Sequence, residues 1–304
     1  MYSKFKIDFL CVGFQKCATT TLDGILRQHS GIALPDIKEI HMDEWYRRCD
    51  DPMEIIMQKF FGEEGIGEGK KIGIIDPNLC DYPRLIRRYM GAEIKLIFMI
   101  RNPVNRLFSY YKMALMLGLP EVYKSSMNGK EVRHVTKSFD RYIEEKFQDK
   151  NRSASLLWGN YIDIILKFEH YFKRDMMKFI VFEEYLNTPE EHVKEILDFL
   201  NLPYQRLDLG LWKGKGDRIP KNKLCFEVNS TIRQIREEAR CNPKATLNHF
   251  RMADALVEKV NKWTVKENNQ KMSQEAKEHL KAYYDGSVRR LEEYLGIDLS
   301  QVWF

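Results

Sequence analysis

Apolar and polar positions in this chain form short apolar runs that alternate with longer segments of helical spacing. The apolar runs cover residues 7–12, 71–75, 94–100 and 178–182. Runs of this length and composition predict buried strands, and apolar residues repeated every three or four positions between them predict helices. Alternating strands and helices are typical of a parallel sheet with helices on its faces. We therefore predict an α/β fold with a mostly helical, charged last third after residue 225.

The first predicted strand leads into a loop whose composition favours anion binding. The strand ends at Gly13, Lys16 follows three residues later, and a helical pattern starts among the threonines after Ala18. A strand, loop and helix of this kind place backbone N–H groups and the positive end of a helix dipole around an anion. The loop is P-loop-like, but Ala18 replaces the second glycine of G-x-x-x-x-G-K-[ST] and Thr19 replaces its lysine. An ordinary strand–helix turn capped by threonine is the alternative. The candidate binding residues are Gly13, Lys16, Cys17, Ala18, Thr19 and Thr20.

A second candidate anion site follows the strand predicted at residues 94–100. Arg101 comes at its C-terminal end, where ligands gather in open α/β sheets. Pro103 suits the first turn of a helix, and Ser109 lies roughly two turns into that helix. A guanidinium fork and a hydroxyl could both reach one phosphate. The alternative is that Arg101 is a surface residue at a helix start and that Ser109 is incidental.

Both segments resemble parts of the sulfotransferases that use 3′-phosphoadenosine 5′-phosphosulfate (PAPS). The loop around Lys16 is similar to their 5′-phosphosulfate-binding loop, and Arg101 with Ser109 is similar to their 3′-phosphate-binding segment. The resemblance implies that Lys16 and the N–H groups of residues 17–20 stabilise charge on the leaving phosphate. It also implies that PAPS is the cosubstrate and that no metal is required.

The resemblance extends along most of the chain. The helix, strand and helix around residues 183–186 (EEYL) are similar to the same family. The similarity is weakest over residues 118–150 and 225–270, where acceptor-specific segments are expected. It implies a single sulfotransferase domain over residues 1–304, in which residues 226–304 form a mostly helical extension packed on the rest.

A short acidic and basic segment resembles the general-base region of heparan sulfate-type carbohydrate O-sulfotransferases. That region reads Lys-Glu-x-His, and Lys38, Glu39 and His41 match it, although Met42 and Asp43 replace the aromatic pair that follows in that family. A sugar hydroxyl is a poor nucleophile, so a base must accept its proton as it attacks sulfur. The resemblance makes Glu39 the catalytic base, with His41 as the rival base. A solvated Lys–Glu pair in a loop is the alternative.

The segment 212–223 is glycine-rich and strongly basic, so it attracts anions. Sulfotransferases close a Lys-Gly-Arg-like loop over the adenine and the 3′-phosphate. The resemblance therefore gives Lys213, Lys215 and Arg218 a role in binding the nucleotide. Asp217 interrupts the Gly-Arg pair, which leaves the assignment of single residues in this loop open. A solvated basic turn is the alternative.

Composition limits the class of protein. The chain has 304 residues, 44% of them hydrophobic, and a formal charge of +5, which suits one large α/β domain with an anionic cosubstrate. No basic tract with interleaved aromatic residues predicts a nucleic-acid partner, and no apolar run of roughly 18 residues predicts a transmembrane segment. The six cysteines form no C-x-x-C pair and are expected to be reduced. Because the first strand lies close to the N-terminus, we expect a cytoplasmic enzyme or a trimmed Golgi-type lumenal domain.

Together these features predict a sulfotransferase that transfers a sulfuryl group from PAPS to a carbohydrate hydroxyl. A small-molecule, amine or lipid-linked acceptor remains open. A P-loop nucleotide kinase is a second possibility, and Asp76 is then the candidate for its magnesium-binding acid. A non-catalytic nucleotide-binding or glycan-binding protein is a third, since it would keep the anion sites but need no base at Glu39.

Overall fold

The computed structural model describes residues 6–48, 52–61, 66–122, 136–149, 153–210, 218–242 and 244–304. The strands are β1 (Phe9–Gly13), β2 (Ile32–Ala33), β3 (Lys71–Ile75), β4 (Lys95–Ile100), β5 (Met177–Val181), β6 (Arg218–Pro220) and β7 (Val265–Glu267). The helices are α1 (Thr19–Leu26), α2 (Met42–Arg48), α3 (Pro52–Phe60), α4 (Pro83–Met90), α5 (Pro103–Leu117), α6 (Phe139–Gln148), α7 (Ala154–Leu157), α8 (Tyr161–Glu169), α9 (Phe182–Asn187), α10 (Pro189–Phe199), α11 (Lys223–Cys241), α12 (Leu247–Thr264), α13 (Gln274–Leu295) and α14 (Ser300–Trp303). Short 3₁₀ helices lie at Pro77–Asp81, Pro120–Val122 and Arg174–Met176. Within these ranges no helix is both long and apolar enough to cross a membrane.

The chain divides into two compact units. The first contains Met1–Asn102, Tyr161–Gly214 and Leu291–Phe304, and the second contains Pro103–Asn160 and Lys215–Arg290. Each unit draws on segments that are distant in sequence. The units are therefore defined by tertiary packing rather than by a single cut in the chain.

The first unit is built on a five-stranded parallel sheet in the order β2-β3-β1-β4-β5. Phe9 on β1 lies opposite Gly73 on β3 and Lys95 on β4. Because all five strands point the same way, the carboxyl ends of β1, β3 and β4 meet at one edge of the sheet. The residues that follow them, including Asp76 and Arg101, therefore gather at that edge.

Burial explains why β1 and β4 read as continuous apolar runs. Every residue of β1 is buried, and only Lys95 at the start of β4 is partly exposed, as expected for central strands covered on both faces. Gly73 on the neighbouring strand is required by packing, since a Cβ there would lie 2.0 Å from the Phe9 ring. The sheet is thus held by the side chains that the pattern of apolar runs identifies.

The second unit is mostly helical in its described part and carries the small antiparallel pair of β6 and β7. The buried Arg106 guanidinium donates a hydrogen bond to the carbonyl oxygen of Ser155, and the Tyr142 hydroxyl lies 2.9 Å from the Ser155 hydroxyl. Arg240 donates to both carboxylate oxygens of Asp254 at 3.0 and 3.1 Å, which joins α11 to α12. Hydrogen bonds between polar side chains and with the backbone thus link several helices of this unit.

The predicted α/β class, the parallel sheet and the helical C-terminal third are confirmed. The four predicted strands are all present, although β1 extends to Gly13 and β5 ends at Val181 because α9 begins at Phe182. The strands β2, β6 and β7 were not predicted. They have only two or three residues each, too few to show a period in the sequence.

Candidate active site

The candidate anion loop joins β1 to α1 and has an uncommon backbone. Lys16 and Ala18 have φ angles of 69° and 65°, in the left-handed region that costs a residue with a Cβ about 1 kcal/mol. Ala18 precedes α1 without a side-chain capping hydrogen bond, and the first N–H groups of an α-helix have no acceptor inside the helix. The geometry therefore suits the anion binding predicted for this loop.

Arg101 follows β4 and lies against the same loop. Its Nη1 donates a hydrogen bond to the carbonyl oxygen of Lys16 at 3.0 Å, and its guanidinium lies 4.5 Å from the ring centre of Phe182. The carbonyl oxygen of Arg101 accepts a 2.8 Å hydrogen bond from the hydroxyl of Tyr161, whose ring packs 4.6 Å from that of Phe14. The buried Nε of Arg101 has no hydrogen-bond partner within the described ranges. Arg101 thus retains a donor for an anionic ligand.

Lys16 is the cation of the loop, and its surroundings change its acidity. The pKa of Lys16 is lowered to about 8, chiefly by burial; the carboxylate of Glu39 opposes this shift, and the charges of Arg101 and Lys38 add to it. This influence of Glu39 shows that the predicted base lies within electrostatic range of the loop lysine. A partly desolvated ammonium stabilises developing negative charge more strongly than a fully hydrated one.

The Lys38–His41 segment lies in the loop between β2 and α2. The Lys38 ammonium forms an ion pair with the Glu39 carboxylate. The loop is anchored by the buried Trp45, whose indole N–H donates to the carbonyl oxygen of the buried Ile40 at 2.9 Å. This anchor fixes the backbone directly after the predicted base.

Left-handed backbone conformations are concentrated in these two loops. The described non-glycine residues with positive φ are Lys16, Ala18, Glu39, His41 and Asn201. All but Asn201 are predicted site residues. Strained residues of this kind persist where the surrounding structure holds them in place, and they cluster at functional sites. The clustering supports the two predicted loops as one site, independently of the sequence pattern that identified them.

The other predicted site residues fall in several places. Cys17 is buried and its Sγ lies 3.8 Å from the Tyr161 hydroxyl, which fits the packing of a small residue. Ser109 lies on α5 of the second unit and is half-buried, and Arg218 is the exposed first residue of β6 in that unit. Lys213 and Lys215 lie outside the described residues. Roles for Ser109 and the basic loop therefore stay predictions.

Sequence reasoning missed two polar side chains beside the loop, Gln15 and Asn78. The Gln15 amide donates to the side-chain oxygen of Asn78, whose own amide donates to Asp76 at 3.0 Å. The available signal was that Asp76 and Asn78 directly follow a predicted buried strand, where ligands and polar groups gather. No group of three or more His, Cys, Asp or Glu side chains in the described ranges is placed to hold a metal ion.

Comparison with known proteins decides the family. A family model for the sulfotransferase domain matches residues 6–219. The chain belongs to the sulfotransferase family. A solved sulfotransferase from Alicyclobacillus acidocaldarius is similar over 98% of this chain and 99% of that chain, with 19% identity and a TM-score of 0.57. A mouse sulfotransferase, SULT7A1, solved in complex with adenosine 3′,5′-bisphosphate (PAP), is 17% identical over 76% of this chain and 66% of that chain, with a TM-score of 0.41. No curated protein matches the sequence.

This sulfotransferase is therefore an enzyme of a family in which PAPS is the typical donor. Family membership favours sulfuryl transfer over the nucleotide-kinase alternative. It also agrees with the loop, because the kinase pattern would require a lysine where this chain has Thr19.

The lowered pKa of Lys16 predicts an alkaline limit for this sulfotransferase. The ammonium is present below its pKa, so kcat/KM for PAPS should fall as the pH rises above about 8. In Lys16→Arg the guanidinium stays charged at every accessible pH. The residual kcat/KM of this variant should therefore show no fall above about pH 8. The measurement is a pH profile of kcat/KM for both enzymes. A profile of the unaltered enzyme that stays flat between about pH 7 and about pH 10 would contradict the assignment.

Proposed function

We propose that this sulfotransferase transfers a sulfuryl group from PAPS to a hydroxyl of a carbohydrate acceptor, with Glu39 as the general base. The observation that carries the proposal is the close grouping of Lys16, Lys38 and Glu39 in two strained loops at one edge of the sheet. This grouping supplies the two requirements of the reaction, a base for the acceptor and positive charge for the leaving group.

The proposed reaction is an in-line displacement at sulfur. The acceptor oxygen forms a bond to sulfur while the bond from sulfur to the bridging phosphate oxygen breaks. The acceptor proton passes to the Glu39 carboxylate, and the electron pair of the broken bond remains on the phosphate of PAP. The Lys16 ammonium and the start of α1 stabilise this charge. No step requires a metal, since the lysine provides the positive charge.

Donor binding in this proposal rests on the free capacity of groups around the loop. Arg101 has a buried donor without a partner, and Thr21 has a buried hydroxyl without a partner, both within the described ranges. No side chain caps the start of α1. Buried polar groups are usually hydrogen-bonded, so the Thr21 hydroxyl and the start of α1 suit a phosphosulfate at the loop, and the Arg101 donor suits a further phosphate. We assign the 3′-phosphate to Arg101 and Ser109, in line with the family resemblance.

The acceptor class is tested by a screen with labelled PAPS. The panel contains neutral oligosaccharides, acidic oligosaccharides, small phenols, aliphatic alcohols and amines at matched concentrations. We expect transfer of label to a sugar hydroxyl. Transfer to a phenol or amine alone would show that the acceptor is not a carbohydrate. Tight PAP binding without transfer to any acceptor would favour a non-catalytic nucleotide-binding protein.

The donor assignment makes its own prediction. PAP should raise the melting temperature far more than AMP or ATP does, because the proposal assigns Arg101 and Ser109 to the 3′-phosphate, which AMP and ATP lack. At a hundred times its Kd, PAP should stabilise the fold by about 2.7 kcal/mol. The check is thermal unfolding with each nucleotide at the same concentration. Equal shifts with PAP and AMP would count against a 3′-phosphate site.

A further inference from the structure

Asp76 is a buried carboxyl group that the proposed mechanism does not use. It directly follows β3, its backbone N–H donates to the carbonyl oxygen of Cys11 on β1 at 3.1 Å, and its exposed fraction is 0%. A carboxyl group taken out of water costs free energy unless its oxygens are bonded. Its retention at the edge of the sheet where the site lies calls for a physical explanation.

One oxygen of this carboxyl group begins a hydrogen-bonded chain that reaches the anion loop. Asp76 Oδ1 accepts from the backbone N–H of Asn78 at 3.2 Å and from the Asn78 side-chain amide at 3.0 Å. The side-chain oxygen of Asn78 then accepts from the amide of Gln15. Gln15 immediately precedes Lys16, so the chain ends one residue from the cation of the loop. Asn78 and Gln15 are both half-buried.

The carboxyl group is also within electrostatic range of the base segment, and its other oxygen is unpaired in the described part of the chain. Asp76 Oδ2 is buried and has no hydrogen-bond partner within the described ranges. Burial raises the pKa of Asp76, Glu39 raises it further, and His41 and Lys38 lower it. Asp76 is thus linked by hydrogen bonds toward the anion loop and lies within electrostatic range of the loop that carries Glu39.

We propose that Asp76 is a positioning residue that, through Asn78, holds Gln15 and so fixes the turn containing Lys16 in its donor-binding conformation. The left-handed backbone of Lys16 is intrinsically unfavourable, so an anchor on the preceding residue lowers the cost of keeping it when no donor is bound. The proposal rests on the donor site of the proposed function, but not on the identity of the acceptor or of the base.

The test interrupts the hydrogen bonds from Asp76 to Gln15 at the two half-buried residues. Gln15→Leu and Asn78→Leu should each weaken PAP binding by about tenfold, the scale of losing a hydrogen bond to a buried polar group. Because both side chains belong to one series of hydrogen bonds, breaking it twice should cost no more than breaking it once. The double variant should therefore bind PAP no more weakly than the single variant with the lower PAP affinity. Gln28→Leu is the matched control: Gln28 is a half-buried glutamine just after α1 whose amide donates to the carbonyl oxygens of Gly24 and Asp208. This control should keep PAP affinity within about twofold.

Substitution of Asp76 itself separates hydrogen bonding from charge. Asp76→Asn keeps an oxygen that can accept from Asn78, so PAP affinity should stay within about threefold of the unaltered enzyme, whereas Asp76→Leu should lose as much as Asn78→Leu. Affinities are measured by calorimetry on folded protein, with the melting temperature recorded for every variant. Three results would each overturn the proposal. The first is a double variant whose loss of PAP affinity is the product of the two single losses, and the second is an equal loss of PAP affinity in Asp76→Asn and Asp76→Leu. The third is a lower melting temperature at unchanged PAP affinity. These readouts need no acceptor, so a failed acceptor screen leaves the result interpretable.

Discussion

Glu39→Gln is expected to abolish sulfuryl transfer while leaving folding and donor binding nearly unchanged. The amide keeps the size of the side chain and can hydrogen-bond, but it cannot accept a proton at neutral pH. Loss of a general base typically slows a reaction by about 10²–10⁴-fold. The measurement is the rate with a competent acceptor, with PAP affinity as the control for folding. Glu93→Gln, which removes an exposed carboxylate of the first unit, is the matched control and should retain full activity.

The same experiment separates the carboxylate from the imidazole. His41→Ala is measured beside Glu39→Gln, because His41 shares the strained loop and is the rival base. If His41 accepts the proton, Glu39→Gln will keep much of the rate and His41→Ala will lose it. If neither substitution slows transfer, the placement of the active site at residues 38–41 is wrong.

Lys16→Ala is expected to lower turnover by about 10²–10³-fold, the loss that follows removal of one preorganised group at a developing oxyanion. PAP affinity should fall by less, since the charge on the bridging oxygen is largest in the transition state. The measurement compares kcat with PAP affinity in the variant and the unaltered enzyme. Lys70→Ala, which removes an exposed lysine before β3, is the control.

Two outcomes would contradict this role for Lys16. Full activity of Lys16→Ala would remove the loop assignment, because no other described lysine shares its position in that loop. Complete loss of transfer on chelation of divalent metals would show that a metal supplies the charge assigned here to Lys16. We expect transfer to persist when metals are chelated.

The sequence alone determined the fold class and the location of the candidate site. Strands β1, β3 and β4 were predictable because central parallel strands are buried on both faces and so read as apolar runs. The edge strand β5 was predictable because most of its residues are apolar. The loop around Lys16 and the residue Arg101 were predictable because ligands of open α/β sheets gather where strands end. The Lys38–His41 segment was identified by family resemblance, since its spacing alone fits an ordinary charged loop.

The tertiary structure decided how these pieces act together. The lowered pKa of Lys16 and the hydrogen-bonded chain from Asp76 to Gln15 depend on contacts between segments tens of residues apart. A pattern of apolar and polar positions shows which face of an element is buried. It does not show which polar groups that are distant in sequence come into contact. Those contacts determine desolvation and hydrogen bonding, so only the tertiary structure decided these properties of the site.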